Sequence, residues 1–252
     1  MLTFSGRGIL LDIEGTTSSV SFVYDVMFAF VRRELESFLR ANWGSPPLSA
    51  ACETIARDAG KSSFSAWSAH CHDDDSRQAL VRDEVLRLMD GDVKATGLKQ
   101  LQGLIWQAGF ASGELQSHVY DDVLPALSAW NVAGLDVRIF SSGSAQAQRL
   151  FFGHTIVGDL LARFRGHYDT TIGSKKEAAS YTKIAGEFGL SPSDLLFISD
   201  VSAELDAARS AGLRTALCER PGNAEVPPGH GHPAITNFAE IVLSSSPPRE
   251  LS

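Results

Sequence analysis

The sequence predicts an α/β fold, a parallel sheet flanked by helices on both faces and interrupted near its start by an all-helical insertion. Three observations lead there. The short apolar run Gly8-Ile9-Leu10-Leu11 ends in a carboxylate, Asp12, and a Gly15-Thr16-Thr17 turn. Between roughly residues 17 and 117 the apolar residues recur at helical spacing and no strand-like run appears. From about residue 122 onward, helices and short apolar runs alternate, the pattern of strands joined by crossover helices.

Taken in order, Gly8 to Asp12 reads as a buried strand opening into a turn. From Ser18 the spacing of Val20, Tyr24, Met27, Phe28, Val31, Leu35 and Leu39 predicts a helix that stops at Asn42-Trp43-Gly44-Ser45-Pro46-Pro47. Further helices are expected over residues 49–58, over 76–89 behind the Asp73-Asp74-Asp75 cap, and over 97–110. Helix 122–132, strand 137–140, helix 144–152 and a short strand near 167–170 follow. Helix 176–188, strand 195–198 ending at Ser199-Asp200, helix 202–211 and strand 215–217 come next. A Pro/Gly/His-rich stretch fills 221–233, and the Ser/Pro-rich tail 244–252 is expected to fray. The predicted division is residues 1–16 with 118–252 as an α/β core and 17–117 as a helical cap.

With 44% hydrophobic and 21% charged residues, the chain of 252 residues has the composition of an ordinary globular protein. No apolar run is long enough for a membrane span, and no basic-then-apolar leader opens the chain. A cytoplasmic protein without membrane partners is expected. Three scattered cysteines, Cys52, Cys71 and Cys218, argue for reduced thiols over a disulfide framework. A formal charge of −8 excludes the basic footprint of a nucleic-acid binder.

Polar residues stand directly after three of the expected strands: Asp12 to Thr16, Ser141 to Ser144, and Ser199-Asp200. In a parallel sheet these ends face one crevice. Asp12, Glu14 and Asp200 would repel one another there without a cation, and hard oxygen donors suit Mg²⁺. Lys175, in Gly173-Ser174-Lys175, supplies a local positive charge, and Ser141 and Ser142 supply hydrogen-bond donors for a phosphate. Each feature has an ordinary reading as well: aspartates after strands cap helices, glycine and serine make turns, and a lone lysine is usually solvated. Their occurrence together and in order favours a phosphate site.

The run Leu11-Asp12-Ile13-Glu14-Gly15-Thr16-Thr17 resembles the first motif of haloacid-dehalogenase-type phosphatases, with Ser141 or Ser142, Lys175 and Asp200 standing at the later motifs. Glu14 departs from the usual aspartate, and Asp-x-Glu-Gly-Thr-Thr is similar to the enolase-phosphatases (acireductone synthases) of methionine salvage. The likeness extends through Gly103 to Gln107, Ile139 to Ser144 with Ala147-Gln148, Phe152 to His154, Gly158 to Leu160, Tyr168 to Thr170 and Arg220 to Asn223.

The resemblance implies a Rossmann-like core and a monomeric hydrolase of phosphoric monoesters. It also implies one Mg²⁺ per chain, held by Asp12, Glu14 and Asp200. Asp12 would be the nucleophile that takes up the phosphoryl group, with Glu14 and Lys175 as further catalytic groups. Ser141, Ser142 and Lys175 would bind the phosphate of 2,3-diketo-5-methylthiopentyl-1-phosphate, which such enzymes enolise and dephosphorylate to acireductone. Whether Glu14 ligates by side chain or carbonyl, and which group is the enolisation base, stays open. A phosphatase for another small phosphate ester is the alternative; a metal-free dehalogenase and a non-catalytic phosphoester-binding module stand further off.

Other signals point elsewhere. Consecutive His70-Cys71-His72-Asp73 cannot converge on one ion and reads as a loop and helix cap. His230-Gly231-His232 reads as a flexible loop, and His118 and His154 lack a serine or cysteine in a nucleophile's setting. Gly6-Arg7-Gly8 precedes a strand, the wrong context for a dinucleotide fingerprint. Glu204 reads as a helix-surface acid in preference to a support for the site, and Phe22, Tyr24 and Trp106 as either cap contacts or core.

Overall fold

The computed structural model describes residues 1–244. Strand β1 (Leu2–Phe4) and strand β2 (Gly8–Leu11) are followed by a π-wound segment, Phe22–Phe28, and helices α1 (Ala29–Asn42), α2 (Pro46–Asp58), α3 (Phe64–Trp67), α4 (Asp74–Asp90) and α5 (Thr96–Ser112). Then come α6 (Val123–Val132), β3 (Asp136–Phe140), α7 (Ala145–Gly153) and β4 (Gly166–Tyr168). Helix α8 (Ala178–Phe188), β5 (Leu195–Ser199), α9 (Ser202–Ser210), β6 (Arg214–Cys218), β7 (Ala234–Ile235) and β8 (Ile241–Leu243) complete the order. Two compact units result, one of Met1–Val23 with the chain from Gln116 on, the other Tyr24–Leu115. Residues 17–23 fall in the first unit, where Tyr120 N–H donates to Thr17 O and Ser19 N–H to His118 Nδ1.

In the first unit six strands form one parallel sheet in the order β4-β3-β2-β5-β6-β7. All-parallel sheets bury both faces, which explains why β2 and, up to its terminal Ser199, β5 are apolar, and why both are fully buried. Side chains alternate across the strands. Leu10, Phe140, Phe197 and Leu217 pack with Tyr181, Ile184 and Phe188 of α8 and Leu205 of α9. Their neighbours Ile9, Leu11, Ile139, Leu196 and Ile198 are equally buried on the opposite face.

The three-residue strands β1 and β8 pair in parallel, a contact too short to leave a periodic signal in the sequence. Ser244, expected to fray, donates its N–H to Phe4 O at 2.9 Å; residues 245–252 of the expected tail lie outside the described residues. His232, expected in a flexible loop, is buried: its Nδ1 lies 2.8 Å from Thr215 Oγ1 and its Nε2 3.2 Å from Asp206 Oδ1.

The second unit is helical throughout its regular elements. Pro46 occupies the first turn of α2, where its missing N–H costs nothing. Asp73 caps α4 through a reciprocal pair with Ser76, so the His70–Asp73 run is indeed a loop and cap. Among the described residues no helix is long and apolar enough to cross a membrane. The helix expected from Ser18 differs in winding. Within it the Trp106 indole N–H donates to Met27 O at 2.9 Å, and Trp106 stacks on Phe28. A side chain inserted into the carbonyl ladder is a known cause of irregular winding. Trp106 is therefore core, whereas Tyr24 is 48% exposed.

Helices α2 and α5 approach so closely that a Cβ on Gly97 would stand 2.5 Å from Ile55 N and 2.8 Å from Ile55 Cα. Backbone cannot yield as a side-chain end can, so Gly97→Ala is expected to destabilise the protein by ~1–3 kcal/mol, the usual cost of overpacking. Urea unfolding followed by circular dichroism measures this; an unchanged midpoint would refute the close approach.

Candidate active site

The register of the sheet decides what meets at its C-terminal edge. Leu11 is level with Ile139 of β3 and Ile198 of β5, so Asp12 is level with Phe140 and Ser199, and Ser141 and Asp200 lie one residue beyond. Adjacent strands are ~4.8 Å apart, which gathers these residues from three distant segments. Chain order also reverses at β2, with β3 on one side and β5 on the other, and such a reversal opens a crevice for ligands.

Asp12 is buried and held on every side. Its N–H donates to Ile198 O, and its Oδ1 accepts from Ile13 N–H at 2.8 Å. Lys175 Nζ lies 2.8 Å from Asp12 Oδ1 and 2.7 Å from Glu204 Oε2. Ser199 Oγ lies 3.2 Å from Asp12 Oδ2 and 3.1 Å from Glu204 Oε2, so its one proton can serve only one carboxylate at a time. Burial alone would lower the Lys175 pKa, but the Asp12 and Glu204 carboxylates outweigh it and raise the value. Glu204 is itself raised by burial and by the charge of Asp12, with Lys175 opposing. The reading of Glu204 as a surface acid is thus corrected: it is 8% exposed and braces the lysine.

Lys175 is set in place by its backbone. Tyr181 OH donates to Lys175 O at 2.6 Å, and Ser180 Oγ donates to Ser174 O at 2.7 Å. Gly173, at φ +143, leaves room for Ser180, whose Oγ would be 2.3 Å from a Cβ there.

Beyond Asp12 the chain turns tightly, with the N–H groups of Thr16, Thr17 and Ser18 all donating to Ile13 O. Gly15 has φ +66, and a Cβ there would lie 2.2 Å from Asp200 Oδ2, so glycine is required both by the turn and by the nearby carboxylate. Asp200 is pushed up to about 7, first by burial, then by Asp12, with Glu14 adding to the effect. Four carboxyl groups, Asp12, Glu14, Asp200 and Glu204, are thus set against the ammonium of Lys175. A divalent cation fits the remaining excess of negative charge and hard oxygen donors. Among the described residues, no three His, Cys, Asp or Glu side chains form a ready-made metal cluster.

Ser141 and Ser142 stand at the end of β3, just before α7. Ser141 is buried, its N–H donates to Tyr168 O, and its Oγ accepts from Gly143 N–H. Ser144 caps α7 by accepting from Ala147 N–H, and Gln148 Nε2 donates to Gly143 O and Tyr168 O at 2.8 and 2.7 Å. The loop is thereby fixed ahead of a helix N-terminus, where anions are favoured.

Residues 7–212 match the model of the haloacid dehalogenase-like hydrolases. The enolase-phosphatase E1 of Pseudomonas aeruginosa is 44% identical over 94% of this chain and 98% of that protein, and that of Sorangium cellulosum 45% identical over 89% and 92%. The crystal structure of the UTR4 protein of Saccharomyces cerevisiae superimposes with a TM-score of 0.75 at 32% identity, covering 93% of this chain and 99% of that one. The chain belongs to the enolase-phosphatase family. It is therefore an enzyme, a phosphatase within the haloacid dehalogenase-like hydrolases.

Within this family member, the sequence places Ser199 at a strand end without a role, and Tyr181 escapes the sequence reading because a buried tyrosine leaves no pattern. Glu204 left a signal, four residues past Asp200 on the inner side of α9, that only its burial resolves. His118 has a serine beside it, with Ser18 Oγ 3.2 Å from Nδ1, but not in the setting of a nucleophile. Ser18 is fully buried, and Nδ1 also takes Ser19 N–H, so the pair ties chain segments and offers no accessible nucleophile.

Lys175→Met would leave Asp12 and Glu204 buried without their cation, at a cost of ~3–5 kcal/mol near pH 8. The loss shrinks toward pH 5, because Glu204 and Asp200, both raised, take up protons as the pH falls. Urea unfolding of wild type and variant at the two pH values measures the difference; equal losses would contradict the charge account.

Proposed function

We propose that the protein converts 2,3-diketo-5-methylthiopentyl-1-phosphate to acireductone and phosphate, by enolisation followed by dephosphorylation, in methionine salvage. The observation that carries this reading is the identity of 44–45% to enolase-phosphatases along nearly the whole chain, joined to a buried aspartate gripped by lysine at the sheet's C-terminal edge.

In the dephosphorylation, a carboxylate oxygen of Asp12 bonds to phosphorus as the ester P–O bond breaks, and the leaving oxygen takes a proton from Glu14. Water, giving a proton to the Glu14 carboxylate, then attacks the aspartyl-phosphate, releasing phosphate and restoring both Asp12 and Glu14. Lys175, 2.8 Å from Asp12 Oδ1, fixes the position of that carboxylate and pairs with phosphoryl oxygens, while Ser141 and Ser142 orient the phosphate at the N-terminal end of α7. Asp12, Glu14 through its carbonyl or its side chain, and Asp200 would hold one Mg²⁺, which would supply charge neutralisation for the phosphoryl oxygens. The helical unit serves as the cap domain and the α/β unit as the core, in a monomeric cytoplasmic enzyme.

Purified protein with Mg²⁺ is expected to release acireductone and phosphate from the diketo phosphate, and Asp12→Asn to lose more than about a thousandfold in kcat. Better turnover of sugar phosphates in a substrate panel would move the substrate assignment to another small phosphate ester. Retained activity in Asp12→Asn would remove the nucleophile.

The raised Asp200 also sets a pH dependence. Without metal the folded state keeps that proton to higher pH than the unfolded chain, so this group's contribution to stability is complete below about pH 4 and is lost as the pH rises to about 7. Mg²⁺ displaces the proton, so its stabilising effect should grow over the same interval. Thermal melts with and without Mg²⁺ between pH 5 and pH 8 read this directly, and a metal effect that shrinks with pH would contradict it.

A further inference from the structure

The turn after Asp12 does not support itself. Its N–H groups converge on Ile13 O, while the carbonyls of Gly15 and Thr16 are taken by the segment that follows β6. Asn223 Nδ2 donates to Gly15 O at 2.9 Å and to Cys218 O at 3.0 Å. Arg220 Nε donates to Thr16 O at 3.1 Å, Nη1 to Thr236 O and Nη2 to Asp122 Oδ2, each at 2.9 Å. Its guanidinium lies between the rings of Tyr120 and Phe238, at 4.4 and 4.7 Å, and the side chain is only 4% exposed. Asp122 is held in turn by Phe238 N–H.

A buried arginine whose three nitrogens each have a different fixed partner specifies geometry more than it adds stability. What it fixes is the carbonyl side of the turn that carries Glu14. The two donor bonds of Asn223 also settle which way its amide points. Oδ1 is left buried, with no protein partner among the described residues, on the side of Gly15 where Asp200 stands. A Cβ on Gly15 would meet Asp200 Oδ2 at 2.2 Å and Asn223 Oδ1 at 2.9 Å. A neutral acceptor is thus held beside the carboxylate assigned to the cation.

We infer that Arg220 and Asn223 are positioning residues that hold the Gly15-Thr16 turn in register with Asp200, and so set the affinity of the site for its divalent cation. They touch neither phosphorus nor the leaving group, and act through the backbone between Asp12 and Thr17. The inference rests on the cation site proposed above, and the experiment separates the two.

Mn²⁺ alone is the probe, its affinity read by calorimetry and by the paramagnetic resonance of the free ion, on wild type, Asn223→Ala and Arg220→Lys. Arg220→Lys keeps the charge facing Asp122 but cannot reach three partners with a planar fork. Asn223, on a half-buried loop, can be truncated without opening the core. Both variants are expected to bind Mn²⁺ ~10-fold or more weakly, as is usual when groups supporting metal ligands are removed. They should lower kcat at fixed metal while leaving KM for the phosphate ester within about twofold, with excess metal restoring part of the rate. A melting temperature near that of wild type in Asn223→Ala distinguishes positioning from simple loss of fold. Unchanged Mn²⁺ affinity in both variants, with wild type binding, overturns the inference alone. No binding by wild type overturns the cation site and the inference with it.

Discussion

One ammonium group buried among carboxylates governs the C-terminal edge of the sheet. Lys175 reaches both Asp12 and Glu204, and Ser199 bridges the same two acids from the other side. Desolvating a lone lysine would strip its proton, and desolvating a lone aspartate would make it hold one. Here the carboxylates of Asp12 and Glu204 outweigh that desolvation and keep Lys175 charged, and its ammonium offsets part of the negative charge gathered at the sheet edge. Backbone around the lysine is fixed to match, through Tyr181 and Ser180 of α8.

The sheet supplies the second constraint. Because β2 lies between β3 and β5 in parallel register, the acid that ends it is flanked by Ser141 on one side and by Ser199 and Asp200 on the other. Slipping β2 by one residue would turn Asp12 to the opposite face. The apolar runs of β2 and of β5 from Leu195 to Ile198, buried on both sides, resist that slip, so the hydrophobic core fixes the electrostatics of the site. The same placement explains the raised Asp200: the strands that gather the phosphate-facing groups also gather negative charge.

Much of this was legible in the sequence because buried parallel strands are short apolar runs, and their ends are marked by the first polar residues. Asp12, Ser141 and Asp200 could be placed that way, and Lys175 by its motif. Groups that reach the site from the side could not. Glu204 sits on a helix whose other acid, Asp206, is exposed, and only packing of α9 against the sheet decides its direction. Arg220 and Asn223 bound a short run that shares the family likeness, but nothing local to them says that they hold the turn after β2. The β1 and β8 pairing, the π winding near Met27, the Ser18 contact of His118 and the burial of His232 all depend on long-range contacts that a local pattern does not carry.

The position of β2 has a consequence for biosynthesis. This strand leaves the ribosome more than a hundred residues ahead of its neighbours β3 and β5, which begin at Asp136 and Leu195, and Glu204 comes later still. Pairings between segments so far apart along the chain form slowly, because a large loop must close before any contact rewards it. Until those partners emerge, β2 is an apolar strand with an acidic end and no sheet neighbour, and the intervening helices, whose contacts are local, can form first. Competence for phosphoryl transfer thus waits on the emergence of β5 and α9, which bring Ser199, Asp200 and Glu204 to the acid made long before them.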